Sequence, residues 1–271
     1  MSSTSASHPV GATLDVQDIA DLIDHALLKP ELTPDDVESA VTDLAARRIW
    51  SVCVRPCDVA LSADTVAKVP DSPTRVCTVI GFPHGSTSTA AKVAEARQAL
   101  DDGATELDMV LNIGRLLGGR HDDVRADIAA VVEVGHEAGV LVKVIFETAL
   151  LDEAAKKAAC KISEDAGADF VKTSTGFAGG GATVADVALM RAECSDAVQV
   201  KASGGVRDIE AALEMVAQGV TRLGTSSTEA LLKEAAERHE AGTLTVPEPS
   251  QASKPADDMP SGARYPVSDT Y

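Results

Sequence analysis

Two short segments, FVKTSTGF (170–177) and VKASGGVRD (200–208), each place a lysine in a run of strand-forming residues that ends at glycine. Strand side chains alternate between two faces. Over 169–175, Lys172 and Ser174 therefore oppose Val171 and Thr173. Over 198–204, Lys201 and Ser203 oppose Val198, Val200 and Ala202. If the apolar sets pack under helices, both amines point into one interior. Two ammonium groups there repel each other and burial disfavours charge, so the neutral form of one is favoured. A neutral amine attacks a carbonyl carbon to give a Schiff base. Over 105–112, Glu106, Asp108 and Asn112 oppose Leu107, Met109 and Leu111, so Asp108 is placed to stabilise the other ammonium and to move protons. Asp24, on the first candidate strand, is suited to the same work. His25 falls on the opposite face and reads as packing or hydrogen bonding. Lys143 and Glu147 also face inward over 141–148 and read as structural ion pairs, since a buried charge needs a partner.

These groups share a site only if the chain closes several strands around one interior. Eight strand candidates recur: 23–28, 50–55, 75–82, 105–112, 141–148, 169–175, 198–204 and 221–226. A helical pattern follows each one. Thr33 followed by Pro34 opens the first helix, a favourable cap and first-turn pair. Gly103, Gly139, Gly167 and Gly219 end helices just before the next strand, where a left-handed residue is usual. Eight strand–helix units over 271 residues point to an α/β fold, a closed parallel (β/α)8 TIM barrel. A doubly wound open sheet is the rival, but its GxGxxG fingerprint between first strand and helix is missing. The barrel is expected over 16–242, between a disordered arm (1–15) and a flexible tail (243–271) rich in Pro, Ser, Ala and Asp.

The loops after strands seven and eight form the usual phosphate site of such barrels. Here they read Ser203-Gly204-Gly205, with Val206-Arg207 opening a helix, and Gly224-Thr225-Ser226-Ser227, opening another. Glycine lets backbone N–H groups approach an anion, and a helix N-terminus favours negative charge. The run Gly176–Gly181 after strand six adds further donors or a mobile lip.

Composition narrows the class of partner. The formal charge of -18 (42 acidic against 24 basic residues) argues against nucleic acid or an anionic membrane as partner. An anionic small substrate then needs a locally positive pocket. Aromatic residues make up only 3% of the chain, so Ala, Val and Leu must fill the core. The five cysteines are odd in number and contain no CxxC pair, which suits reduced thiols of a cytoplasmic protein better than disulfides or a zinc site. No apolar run is long enough to span a bilayer, and the N-terminus lacks the basic and apolar regions of a secretory signal.

FVKTSTGF, VKASGGVRD, ELDMVLNIG (106–114) and RLGTSS (222–227) closely resemble the deoxyribose-phosphate aldolases. IDHALLKP, SVCVRP, IGFPHG and KVIFET are similar to family segments too, so the resemblance runs in order over residues ~20–230. It implies a class I aldolase, free of metal and cofactor. Such an enzyme reversibly cleaves 2-deoxy-D-ribose 5-phosphate to D-glyceraldehyde 3-phosphate and acetaldehyde. The family's Schiff-base lysine falls on Lys172, its second lysine on Lys201 and its proton-relay aspartate on Asp108. Its phosphate contacts fall on Gly176, Gly204, Gly205, Gly224, Ser226 and Ser227, with Arg207 nearby. A homo-oligomer, dimer or tetramer, is the expected assembly. Arg55, His84 and Thr228 depart from the family's common Asn, Leu and Gly. The alternatives are another Schiff-base sugar-phosphate aldolase, an isomerase on the same barrel, or a sugar-phosphate-binding barrel without activity.

Some members carry a C-terminal tyrosine that assists proton transfer, and this chain ends in Tyr271. Removing residues 266–271 should therefore slow proton exchange at the enamine carbon, followed by deuterium uptake from solvent into acetaldehyde. Unchanged exchange returns Tyr271 to an inert end.

Overall fold

The computed structural model describes residues 8–250. Eight parallel strands follow one another around a closed barrel, with β1 hydrogen-bonded to both β2 and β8. They are β1 (Ile23–Leu27), β2 (Ser51–Val54), β3 (Arg75–Ile80), β4 (Glu106–Val110), β5 (Leu141–Ile145), β6 (Phe170–Lys172), β7 (Gln199–Ser203) and β8 (Arg222–Thr225). Each lies within its predicted segment, shortened at one or both ends.

A short α1 (Val16–Ala20) precedes the barrel. Around it run α2 (Pro34–Ala46), α3 (Val59–Ala67), α4 (Thr89–Asp101), α5 (Ile113–Leu117) and α6 (His121–Glu137). The layer is completed by α7 (Glu153–Asp165), α8 (Val184–Glu193), α9 (Ile209–Ala217) and α10 (Thr228–Glu240). Thr33 caps α2 as expected: its hydroxyl accepts from Asp36 N at 3.2 Å while the Asp36 carboxylate accepts from Thr33 N at 2.9 Å. The four predicted helix-ending glycines all have positive φ, from 72° at Gly139 to 101° at Gly103. Among the described residues no helix is long and apolar enough to cross a membrane.

Alternation divides the side chains as the sequence predicts. Leu107, Met109, Val142, Val144, Val171 and Val200 are fully buried between strands and helices. This shell drives assembly, at about 1.5–3 kcal/mol per fully buried aliphatic side chain. The barrel interior is split. Leu28, Cys53, Cys77 and Val79 form a separate apolar cluster on the β1–β3 side. The β4–β8 side carries charged groups instead of the branched residues usual there.

The two ends of the domain reach beyond the expected 16–242. Leu14 N donates to Leu244 O at 2.9 Å, Val246 N donates to Ala12 O at 3.0 Å, and Thr13 bridges Thr245 in antiparallel fashion. Leu14, Leu244 and Val246 join the main core. Residues 11–14 and 244–246, read from composition as arm and tail, are thus ordered by pairing with each other. Composition missed this because neither strip is apolar enough alone to signal burial. Leu14→Ala should cost about 2–5 kcal/mol in urea unfolding; a loss within about 0.5 kcal/mol, the range of exposed sites, would show that the ends add nothing to the core.

Candidate active site

Closure brings four cations and three carboxylates into one buried network. Asp108 is its centre. Its Oδ1 accepts from Lys143 Nζ at 2.8 Å, and its Oδ2 accepts from Lys172 Nζ at 2.7 Å and Lys201 Nζ at 2.8 Å. Lys201 also pairs with Asp24 at 2.5 Å, and Lys143 with Glu106 at 2.5 Å. Arg222 ties the two outer carboxylates together: its guanidinium donates to Asp24 and, at 3.0 Å, to Glu106. That guanidinium stacks over Trp50 at 4.5 Å, and the Trp50 indole donates to Glu106 at 2.8 Å.

The register explains the convergence. Asp108 pairs with Lys143 across β4–β5, Lys172 with Lys201 across β6–β7, and Lys201 with Arg222 across β7–β8. In-register residues of parallel strands point the same way, so each pair shares the interior; Glu106 joins two residues before Asp108, and Lys172 stands two residues beyond the register partner of Lys143.

Burial alone would push the carboxylates up, yet their cationic neighbours reverse it. Lys143, Lys172 and Lys201 hold Asp108 well below the usual carboxylate range, and Arg222 with Lys201 does the same for Asp24. Burial pushes Lys201 down, but Asp108 and Asp24 outweigh it and hold its ammonium above the ordinary lysine value. Mutual repulsion of the two amines, expected from strand alternation, is not the deciding interaction. In the structure a shared carboxylate oxygen stands between them and the charges are unequally supported. Lys143, Lys201 and Arg222 each touch two carboxylates, whereas Lys172 has one oxygen that it shares. Lys172 is thus the lysine of the network with the fewest carboxylate contacts.

A cavity of about 350 Å³ opens above this layer, lined by Asp24, Lys172 and Lys201 at its base. Its other wall is made by the loops after β6, β7 and β8. Every residue predicted to hold phosphate lines it: Gly176 in the first loop, Gly204, Gly205 and Arg207 in the second, Ser226 and Ser227 in the third, and Gly224 within β8 itself. Gly224 is required by space, because a Cβ there would stand 2.2 Å from Ser203 Oγ and 3.4 Å from Lys201 Cε. Asp108 lies beneath the cavity and acts on it only through the lysines.

Some side chains were not singled out from sequence. Arg222 is the clearest, standing two residues before Gly224 on the same face of β8. Ser174 and Ser203 line the cavity, and their buried hydroxyls have no hydrogen-bond partner among the described residues. Phe177 also lines it, with its ring edge-on to Phe82 at 5.2 Å.

Lys143 makes the structural ion pairs expected of it, but with Asp108 and Glu106. Glu147 is not its partner: it accepts from the Thr175 hydroxyl and braces the KTST segment. His25 hydrogen-bonds Thr228 at 2.8 Å, so this departure from the family pattern has a local role. Arg55 turns away to bind Asp58 and the carbonyls of Lys29, Pro30 and Leu32, and His84 is exposed. Neither lines the cavity. Tyr271 lies outside the described residues.

Fold and site define a (β/α)8 enzyme with buried lysines at the C-terminal ends of its strands. The chain belongs to the DeoC/LacD family of aldolases, whose model matches residues 19–232. It is 50% identical over 208 residues to a deoxyribose-phosphate aldolase of Staphylococcus epidermidis, covering 77% of this chain and 92% of that one. It is also 50% identical over 210 residues to one of Thermococcus gammatolerans, covering 78% and 93%. A solved structure described as a tetrameric deoxyribose phosphate aldolase from Aeropyrum pernix superposes with a TM-score of 0.75 at 32% identity, over 84% of this chain and 93% of that one.

Removing Arg222 would leave Asp24 and Glu106 buried without their shared cation. Arg222→Met should cost about 3–5 kcal/mol at neutral pH. The carboxylates then take up protons more readily folded than unfolded, so acidification from pH 7 toward 4 should narrow the gap to the parent chain. Urea unfolding at several pH values measures this; a gap that stays constant argues against a carboxylate origin.

Proposed function

We propose that this chain reversibly cleaves 2-deoxy-D-ribose 5-phosphate to D-glyceraldehyde 3-phosphate and acetaldehyde through a Schiff base on Lys172. The observation that carries the reading is Lys172 Nζ at the base of a cavity whose far wall is three glycine loops, with Asp108 2.7 Å behind it. The activity named for the relatives supplies the substrate, and the geometry supports the division of labour.

In this reading the neutral Lys172 amine attacks C1 of the open-chain sugar. The carbinolamine loses water to give an iminium, which is the electron sink. A base removes the C3 hydroxyl proton, the C2–C3 bond breaks, and its electron pair moves into the enamine of acetaldehyde as glyceraldehyde 3-phosphate leaves. Protonation at C2 and hydrolysis release acetaldehyde and restore the amine. Lys201, held as ammonium between Asp108 and Asp24, and Asp108 itself form the proton-moving set, with a water able to join them. Ser174 and Ser203 offer free hydroxyls to the chain's oxygens. The phosphate sits on N–H groups of the loops after β6, β7 and β8, with Ser226, Ser227 and Arg207 beside it, where the helix N-termini of α9 and α10 add positive potential. Binding there anchors the reacting carbons over Lys172. A net-acidic protein thus receives an anion at a locally positive floor.

Five free thiols agree with a reducing cytoplasm, and the tetrameric relative agrees with a homo-oligomer. The test is borohydride reduction during turnover with peptide mapping. Substrate-derived mass should appear on Lys172 alone, and Lys172→Ala should lower turnover by about four orders of magnitude or more. Mass on another lysine would overturn the assignment. Turnover without any trapped amine would favour an isomerase.

A further inference from the structure

Beside Asp108, at the edge of the apolar half of the interior, two thiols meet. Cys53 of β2 and Cys77 of β3 are register partners and both are buried. Cys77 Sγ donates to Asp108 Oδ1 at 3.2 Å, and the two sulfurs and a carboxylate oxygen all lie within 4.8 Å of one another. Cys53 lines the cavity, so the cluster is reachable from the mouth of the barrel. The proposed reaction uses neither thiol.

We propose that Cys53, Cys77 and Asp108 form a binding site for a thiophilic divalent cation of the zinc type, and that its occupancy lowers turnover by displacing Lys143 from Asp108 Oδ1 and weakening the hold of that carboxylate on Lys172 and Lys201. Two sulfurs and one carboxylate oxygen suit such an ion, which prefers thiolate and accepts carboxylate. The charge balance is favourable. An ion M²⁺ and two R–SH give M(SR)₂ and two protons released to solvent, so the thiol pair takes up the ion without adding net charge to a crowded interior. The Asp108 carboxylate then completes three ligands, with Lys143 close to both Cys77 and Asp108. The spans also fit: metal bonds of about 2.3 Å to sulfur and about 2.1 Å to oxygen set the two donors about 3.6 Å apart in a tetrahedron, near the observed 3.2 Å.

Each thiol must give up its proton to ligate the ion. Apparent affinity should therefore rise with pH, by up to about 100-fold per unit when two protons leave. The site does not depend on the reaction proposed above; only the effect on turnover does.

The experiment uses the full chain carrying Cys57→Ser, which removes the exposed thiol. Titration with Cd²⁺ should produce an ultraviolet thiolate-to-cadmium charge-transfer band saturating at one ion, and titration with Zn²⁺ should release about two protons per ion. Cys53→Ala and Cys77→Ala should each weaken the ion by at least about tenfold, since even outer-shell partners of a metal are worth that much. Zinc should lower turnover over the range in which it binds, and a chelator should restore it. Absence of the band and of proton release overturns the site. So does a band that survives in both alanine variants, which would assign the ion to the other buried thiols, Cys160 and Cys194. Saturated binding with unchanged turnover overturns the inhibitory role. Should borohydride place the Schiff base elsewhere, the band and the proton count still decide the site.

Discussion

Asp108 brings three amines to one carboxylate inside a closed barrel, and the chemistry follows from that crowding. A buried ammonium without a counter-ion is prohibitively costly, and so is a buried carboxylate. The charges must therefore be solved as a set. Asp24 and Glu106 each support a lysine and are bound together by Arg222. Lys172, at the edge of the set and facing the cavity, is left with a shared oxygen. In the function proposed above, the amine that attacks the carbonyl is thus the lysine with the fewest carboxylate contacts, while Lys201, the proton donor of that reading, lies between two carboxylates.

The barrel can tolerate this interior because stability is supplied elsewhere. The outward faces of the strands carry fully buried Val, Leu and Met under the helices. One side of the interior remains apolar, with Leu28, Cys53, Cys77 and Val79. The charged half is then a local departure, held by ion pairs that run from Asp24 of β1 through Lys201, Asp108 and Lys143 to Glu106, with Arg222 closing the set. The loops above it are freed from core packing. They can spend their glycines on backbone exposure toward an anion and on close approach, as where Gly224 leaves room for Ser203 and Lys201.

Much of this was legible from residue order. The inward set Asp108, Lys172 and Lys201 follows from a period of two, which is a local property of each strand. The turns that line the cavity follow from glycines placed at or just after strand ends, again a local signal. Arg222 carried the same signal but drew no notice, because an arginine in a strand is more often a surface residue. The ion-pair partners were not legible. Glu147 shares its inward face with Lys143 but lies four residues further up the strand, and the bond it makes, to Thr175, depends on how the chain turns after β6. The ends of the domain were read as flexible from composition, yet residues near 13 and 245 hold each other in place.

The sequence by itself determined the eight strand–helix units, the face on which Lys172, Lys201, Asp108 and Asp24 stand, and the glycine turns beside them. Alternation and helix punctuation act over a few residues, so residue order suffices. Only the tertiary structure decided that closure sets Asp24 of β1 against Arg222 of β8, that one oxygen of Asp108 serves both lysines, and that Lys143 and Glu106 complete the network. Those contacts join residues far apart in the chain. Their energies depend on distances and burial that exist only once the barrel has closed.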